Sequence, residues 1–355
     1  MPNAEFVIIG GGWRTQFFLR AARELPERFT ATGLLVRDPV KAQAFQNAWN
    51  LRTFGTLDEL LRHKKPLFAV VAVAKGAAAS VLAELAQRRI PCLCETPPAP
   101  DFAGLDAINE LKDARIQVAE QYIFQPMHAA RLAIAKSGLL GTISQAQVSF
   151  TQAYHGMSLI RRYLGVGFDP VKITARKFVS PIYQGPGRAG PPHEEKIIPC
   201  EQTLAWLEFG DRLGVFDFAN DQHRSYIRSD RVLIRGEKGE INGSQVRHLR
   251  DFRNPIHFEL HRQDAGIDGN LEGYFHKGIL GAGRWWYENP FVPARLSDDE
   301  LAVATCMEKM AEYARGGPEF YSLAEASHDT YLGLMMDQAA EQQKTLEVNS
   351  RPWAK

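Results

Sequence analysis

Apolar and polar positions in the first third of the chain follow two alternating periods. "FVIIG" (6–10) is a short apolar run closed by glycine, and "WRTQFFLRAARELP" repeats apolar residues at helical spacing up to Pro26. The exchange then recurs. "ATGLLV" (31–36), "FAVVAVA" (68–74), "PCLCE" (91–95) and "RIQVAEQY" (115–122) read as strands, and "PVKAQAFQNAWN", "AAASVLAELAQRR" and "FAGLDAINELKDA" read as helices. Asp38 is placed to cap the first of these, with Pro39 at the opening helical position. Continuous apolar strands alternating with helices predict a parallel sheet covered on both faces. This gives an N-terminal doubly wound α/β domain over 1–122.

After about residue 125 the pattern changes. "PMHAARLAIAKSGLLG" is one helix closing at glycine. Longer alternating runs follow: "TISQAQVSFTQAY", "VKITARKFV", "EQTLAWLEFG", "RLGVFDFAND" and "RVLIRGEKGEING". Their "GD", "ND" and "EKGE" turns suit an antiparallel meander. The prediction for 123–355 is an α+β domain with a large, open, mainly antiparallel sheet. The closing helices "DDELAVATCMEKMAEYARG" and "LAEASHDTYLGLMMDQAAEQQKTL" can pack back on the first domain. An open sheet face predicts a homo-oligomer, dimer or tetramer. The Gly- and Pro-rich stretch 179–196 reads as a long loop, of the kind that serves as a lid.

Composition narrows the function. Net charge is +1 and no basic tract occurs, so nothing favours nucleic acid or a membrane surface. The first apolar run is short and ends in glycines, unlike a signal peptide or a membrane span. The four cysteines, Cys92, Cys94, Cys200 and Cys306, form no C-x-x-C and have no histidine cluster near them. They read as reduced thiols of a cytoplasmic protein, with no metal site.

Gly10, Gly11 and Gly12 stand between the first strand and the first helix. There glycine permits a tight turn and lets backbone amides approach a pyrophosphate at the positive end of a helix. The third position of that fingerprint holds Thr15. The second strand ends "LLVRDP", where an acid commonly meets the adenosine ribose. Val36 occupies that place, followed by Arg37 and Asp38. An arginine there suits a 2′-phosphate, and Asp38 remains within reach of a ribose. The expectation is NAD(P), with a slight lean to NADP.

The order of motifs resembles the Gfo/Idh/MocA family of nicotinamide-dependent oxidoreductases. The glycine loop is followed by "CETPPAP", then by "VAEQYIFQPMHAARLAIAKSGLLGTISQAQV", then by a meander. The resemblance spans nearly the whole chain. It implies a Rossmann domain, a second α/β domain with an open sheet, oligomers formed through that sheet, and substrates that are mostly sugars, cyclitols and their derivatives. It also implies a cofactor lying over Gly10, Gly12, Trp13 and Arg14, reaching Arg37, Asp38 and Lys75, with its nicotinamide near Glu95 and Thr96. The family carries Glu-Lys-Pro after this strand. Glu95 and Pro97 match, and Thr96 stands where the lysine would be. A threonine hydroxyl does not ionise near neutral pH, so it can only hydrogen-bond or relay a proton.

The family's second motif, Asp-x-Gly-x-His-x-x-Asp, falls on "AYHGMSLIRRYLG" (153–165). Gly156 matches, while Tyr154, Ser158 and Arg161 replace the acid, the histidine and the last acid. A relocated proton donor is therefore sought at His155, Tyr154 or Tyr122, with Thr96 as a relay. Arg161 and Arg162 point about 100° apart on a helix, so one faces inward and would suit a carboxylate, phosphate or sulfonate. His193 lies in the Gly/Pro loop and could close over the site. The expected function is hydride transfer on a carbohydrate-like or other small polar substrate. Two alternatives stay open: redox-assisted bond cleavage with tightly held NAD, and a nucleotide-sensing regulator without catalysis.

Overall fold

The computed structural model describes residues 2–266, 273–349, 351 and 353. The chain divides into two compact units: 1–128 with 262–278 and 287–327, and 129–261 with 279–286 and 328–355.

The first unit opens with β1 (Ala4–Ile9), α1 (Thr15–Glu24), β2 (Phe29–Leu35), α2 (Pro39–Trp49), β3 (Thr53–Phe54) and α3 (Leu57–His63). It continues with β4 (Phe68–Val71), α4 (Lys75–Gln87), β5 (Cys92–Cys94), α5 (Phe102–Asn109) and β6 (Ile116–Val118). These six strands form one parallel sheet of order β3-β2-β1-β4-β5-β6. The two-residue strand β3 and the helix α3 carry no strong period and were not expected. Burial drives the sheet: Phe6, Ile8, Phe68, Val70 and Leu93 are all buried, and each apolar side chain withdrawn from water contributes about 1.5–3 kcal/mol. Residues Ile9, Val71, Cys94 and Val118 are register partners across β1, β4, β5 and β6. The residues that follow them therefore emerge together along the carboxyl edge of the sheet.

"RIQVAEQY" is a strand only to Val118. Glu120 and Tyr122 lie beyond it, and Tyr122 begins a 3-10 turn, Tyr122–Phe124.

The remaining elements are α6 (Pro126–Lys136), β7 (Ile143–Ser149), α7 (Ala153–Leu164), β8 (Val171–Tyr183), β9 (Ile197–Phe209), β10 (Arg212–Ala219) and β11 (Arg231–Gly236). After them come β12 (Gly239–Asn242), β13 (Gln245–Asp251), β14 (Asn254–Glu259), β15 (His261–Ala265), β16 (Phe275–Gly281) and β17 (Arg284–Glu288). The chain closes with α8 (Asp298–Ala314), α9 (Leu323–Gln342) and β18 (Leu346–Val348). Helix α8 belongs to the first unit, where Leu301, Val303, Cys306, Met307 and Met310 join the core of Phe18, Ile8 and Leu93.

The second unit holds a nine-stranded sheet of order β14-β13-β12-β11-β7-β10-β9-β8-β18. Its neighbours pair antiparallel except β7 with β10. One face is covered by α7. The other leaves Phe178, Leu204 and Trp206 exposed. β8 is longer than its sequence pattern suggests and pairs with β9 as far as Tyr183↔Ile197. The expected loop 179–196 is thus only 184–196, the end of a long hairpin. Backbone pairing continues through Val179 and Ser180 despite Pro181, whose register partner is also a proline, Pro199.

Candidate cofactor and active site

In the first unit, chemistry gathers at the carboxyl edge. Gly10 follows Ile9 with φ +115°, and a Cβ there would lie 2.2 Å from the Ala72 carbonyl oxygen, at the end of β4. Only a residue without a side chain fits that turn. Gly11 packs against Val36, where a Cβ would meet Cγ2 at 2.9 Å. Gly12 is open, its nearest neighbour Ala72 O at 3.8 Å from such a Cβ. Thr15 is fully buried and its hydroxyl donates to the Gly10 carbonyl at 2.7 Å. Thr15 therefore ties the loop to α1 by a hydrogen bond, where a third glycine would achieve close packing.

Trp13 is half-exposed and sets its ring edge on Phe17, centroids 4.7 Å apart. Arg14 turns inward. Its Nε donates to Glu95 Oε1 at 2.9 Å, across the glycine loop to the end of β5. Burial works against the charge of Arg14, and Glu95 outweighs it, so the guanidinium pKa lies above its ordinary value. The other oxygen of Glu95 accepts the Thr96 backbone N–H at 3.2 Å, and the Thr96–Pro97 peptide is cis. Glu120 is fully buried and accepts the Tyr122 N–H at 3.2 Å, while the Tyr122 ring lies 6.4 Å from that of His128.

Just after β2, Asp38 caps α2: Oδ1 accepts from Val40 N at 2.9 Å and Lys41 N at 3.1 Å. Arg37 and Lys75 are exposed, the latter as the first residue of α4. Cys92 and Cys94 are buried free thiols. Burial lifts Cys92 to about 12 and Cys94 higher still, so neither is a nucleophile.

Residues 4–120 match the model of the oxidoreductase family with an NAD-binding Rossmann fold, Gfo/Idh/MocA. That match covers the parallel sheet of the first unit, β1 to β6. Solved structures share its fold over nearly the full length. A levoglucosan dehydrogenase in complex with NADH and levoglucosan is 15% identical, with TM-score 0.69 over 98% of this chain and 99% of that one. An Agrobacterium radiobacter oxidoreductase in complex with NAD+, L-tartaric acid and magnesium is 15% identical, TM-score 0.67, covering 97% and 98%. The WlbA dehydrogenase of Bordetella pertussis, in complex with NADH and UDP-GlcNAcA, is 15% identical, TM-score 0.65, covering 98% and 100%. No curated protein matches the sequence.

The second unit builds its own cluster on α7. Gly156 is required by packing: a Cβ there would lie 2.5 Å from the Phe216 ring on β10. That contact brings the first turn of α7 onto the sheet. Tyr154 is buried on that turn and His155 half-buried, their rings edge to face with centroids 5.1 Å apart. Ser158 is fully buried.

Arg161 is the inward arginine, but its guanidinium already has an anion. Nη1 donates to Asp329 Oδ1 at 2.7 Å, and Nε and Nη2 both donate to the Gly167 carbonyl at 2.9 and 2.7 Å. Both charged side chains are out of solvent. Where the sequence suggested a substrate anion for Arg161, the carboxylate it meets in this structure comes from α9 of its own unit. Arg162 is half-buried, and His193 is exposed at the hairpin end. Asp329 and its neighbour His328 escaped sequence reading because they lie far along the chain, inside an ordinary helical pattern. Among the described residues no cluster of His, Cys, Asp and Glu could hold a metal ion, and no helix is long and apolar enough to cross a membrane.

Proposed function

We propose that this protein transfers hydride between a nicotinamide cofactor and a small polar, carbohydrate-like substrate, with the proton handled by His155 or Tyr154 instead of residue 96. The observation that carries the reading is the glycine turn: Gly10 fits against Ala72 only without a side chain, at the carboxyl edge where a dinucleotide is bound in such sheets. A bound nicotinamide supplies the hydride acceptor or donor. The chain's own task is to hold the substrate and manage the hydroxyl proton. Thr96 does not ionise near neutral pH, so the hydroxyl proton needs another partner.

Arg37 supports a preference for NADP(H). It is exposed at the end of β2, and the neighbouring carboxylate of Asp38 is engaged as the cap of α2. The open face of the nine-stranded sheet, with Phe178, Leu204 and Trp206, supports assembly with further copies of the chain. Four buried free thiols suit a reducing compartment such as the cytoplasm.

The test is a screen of sugars, cyclitols and their acids with cofactor present, followed by variants. Turnover should survive Thr96→Ala and fall about 10²–10⁴-fold in His155→Ala or Tyr154→Phe. Turnover lost in Thr96→Ala and kept in both others would overturn the assignment.

A further inference from the structure

Thr96 removes a cation from the end of β5, and Arg14 returns one to the same carboxylate from the glycine loop. Both oxygens of Glu95 are engaged, Oε1 by Arg14 Nε at 2.9 Å and Oε2 by the Thr96 N–H at 3.2 Å. The guanidinium is not fully engaged: its Nη2 is buried with no acceptor among the described residues. One flank is occupied by Phe17, whose ring centroid lies 4.5 Å from Cζ. A buried guanidinium N–H without an acceptor is costly and uncommon. At the carboxyl edge of a dinucleotide sheet, such a donor is placed for a ligand oxygen.

On the reading that the protein binds a nicotinamide cofactor, we propose that Arg14 takes over the lysine's charge at the cofactor's reactive end. Its Nη2 donates to the nicotinamide half of the bound nucleotide, and its fixed charge makes the site hold the reduced form more tightly than the oxidised one. The oxidised ring is cationic and the reduced ring neutral, so a guanidinium edge opposes only the first. Glu95 offsets part of this charge through its bond to Nε, so the remaining bias is modest and comes from the Nη2 edge. An arginine also keeps its proton at every working pH. The charge at this site therefore does not titrate, and acid–base work is separated from it.

The experiment is a set of calorimetric titrations of wild type, Arg14→Met and Arg14→Lys with NADPH, NADP+ and ADP-ribose 2′-phosphate, and with NADH, NAD+ and ADP-ribose. The last ligand of each series lacks the nicotinamide. Methionine keeps an apolar stem against Phe17. Arg14→Met should lower the ratio of reduced to oxidised affinity about tenfold, equivalent to about 30 mV for a two-electron couple. It should leave affinity for the ligand without nicotinamide within about twofold, which also shows that the variant is folded. Arg14→Lys should retain most of the bias. An unchanged ratio, or equal weakening of all three ligands, would overturn the role of Arg14. Failure of wild type to bind any of the six would overturn the functional reading itself, and Arg14's role with it.

Discussion

Arg161 and Asp329 meet at 2.7 Å with both side chains withdrawn from solvent, joining α7 to α9 within the second unit. Removing one partner leaves a buried charge uncompensated. Asp329→Asn or Arg161→Met should therefore cost about 3–5 kcal/mol of stability, measured by urea unfolding. If Arg161 instead served the substrate, Arg161→Met would weaken substrate binding while leaving the unfolding midpoint in place.

The glycine loop separates two effects by position. At Gly10 a side chain meets the Ala72 carbonyl at 2.2 Å in a backbone conformation that favours glycine. Gly10→Ala should lose more than about 2 kcal/mol and fail to bind nucleotide. At Gly12 a Cβ would stand 3.8 Å from the nearest atom. Gly12→Ala should unfold within about 1 kcal/mol of wild type and weaken nucleotide binding alone. Thermal melts with and without NAD(P)H distinguish the two, and equal melting losses would contradict this account of the loop.

Much of the first unit was legible because its strands are continuous apolar runs and its turns are marked by glycine and proline. Asp38 before Pro39 announced the start of α2, and the structure shows that cap. β3 was not legible, since two residues carry no period. The second unit was harder. The end of β8 reads as loop because Pro181 and nearby glycines look like punctuation, whereas pairing with β9 is long-range and leaves no local mark. The same limit applies to the sites. Gly10 was read from its neighbours in sequence. The partners of Arg14 and Arg161 stand 81 and 168 residues away, and no spacing rule reaches them.

His328 gives the protein a calculable acid response. Its imidazole is buried beside Phe168, and burial, with help from Arg161, pushes its pKa down to about 3. The folded state therefore keeps His328 neutral while the unfolded chain protonates it below about 6.5. Stability is fully present above that value and should fall by about 1.4 kcal/mol per pH unit as pH drops toward 3. His328→Phe should flatten this limb in urea melts between pH 6.5 and 4. An unchanged slope would show that other groups carry it.

Trp206 lies 59% exposed on the open sheet face, between Thr174 on β8 and Val215 on β10 in register. A buried contact with a second copy would explain so large an apolar side chain at that place. Trp206→Glu should shift the protein toward monomer in sedimentation velocity. A wild type that sediments as a monomer would contradict the proposed assembly.

Calorimetry on protein stripped of any bound nucleotide asks whether this chain binds a nicotinamide nucleotide on its first unit. Titration with NADH and NADPH should give saturable one-site binding of at least one, tighter for NADPH if Arg37 meets a 2′-phosphate, with that preference lost in Arg37→Ala. Absence of binding by either nucleotide would contradict the account and leave the Rossmann sheet as a scaffold.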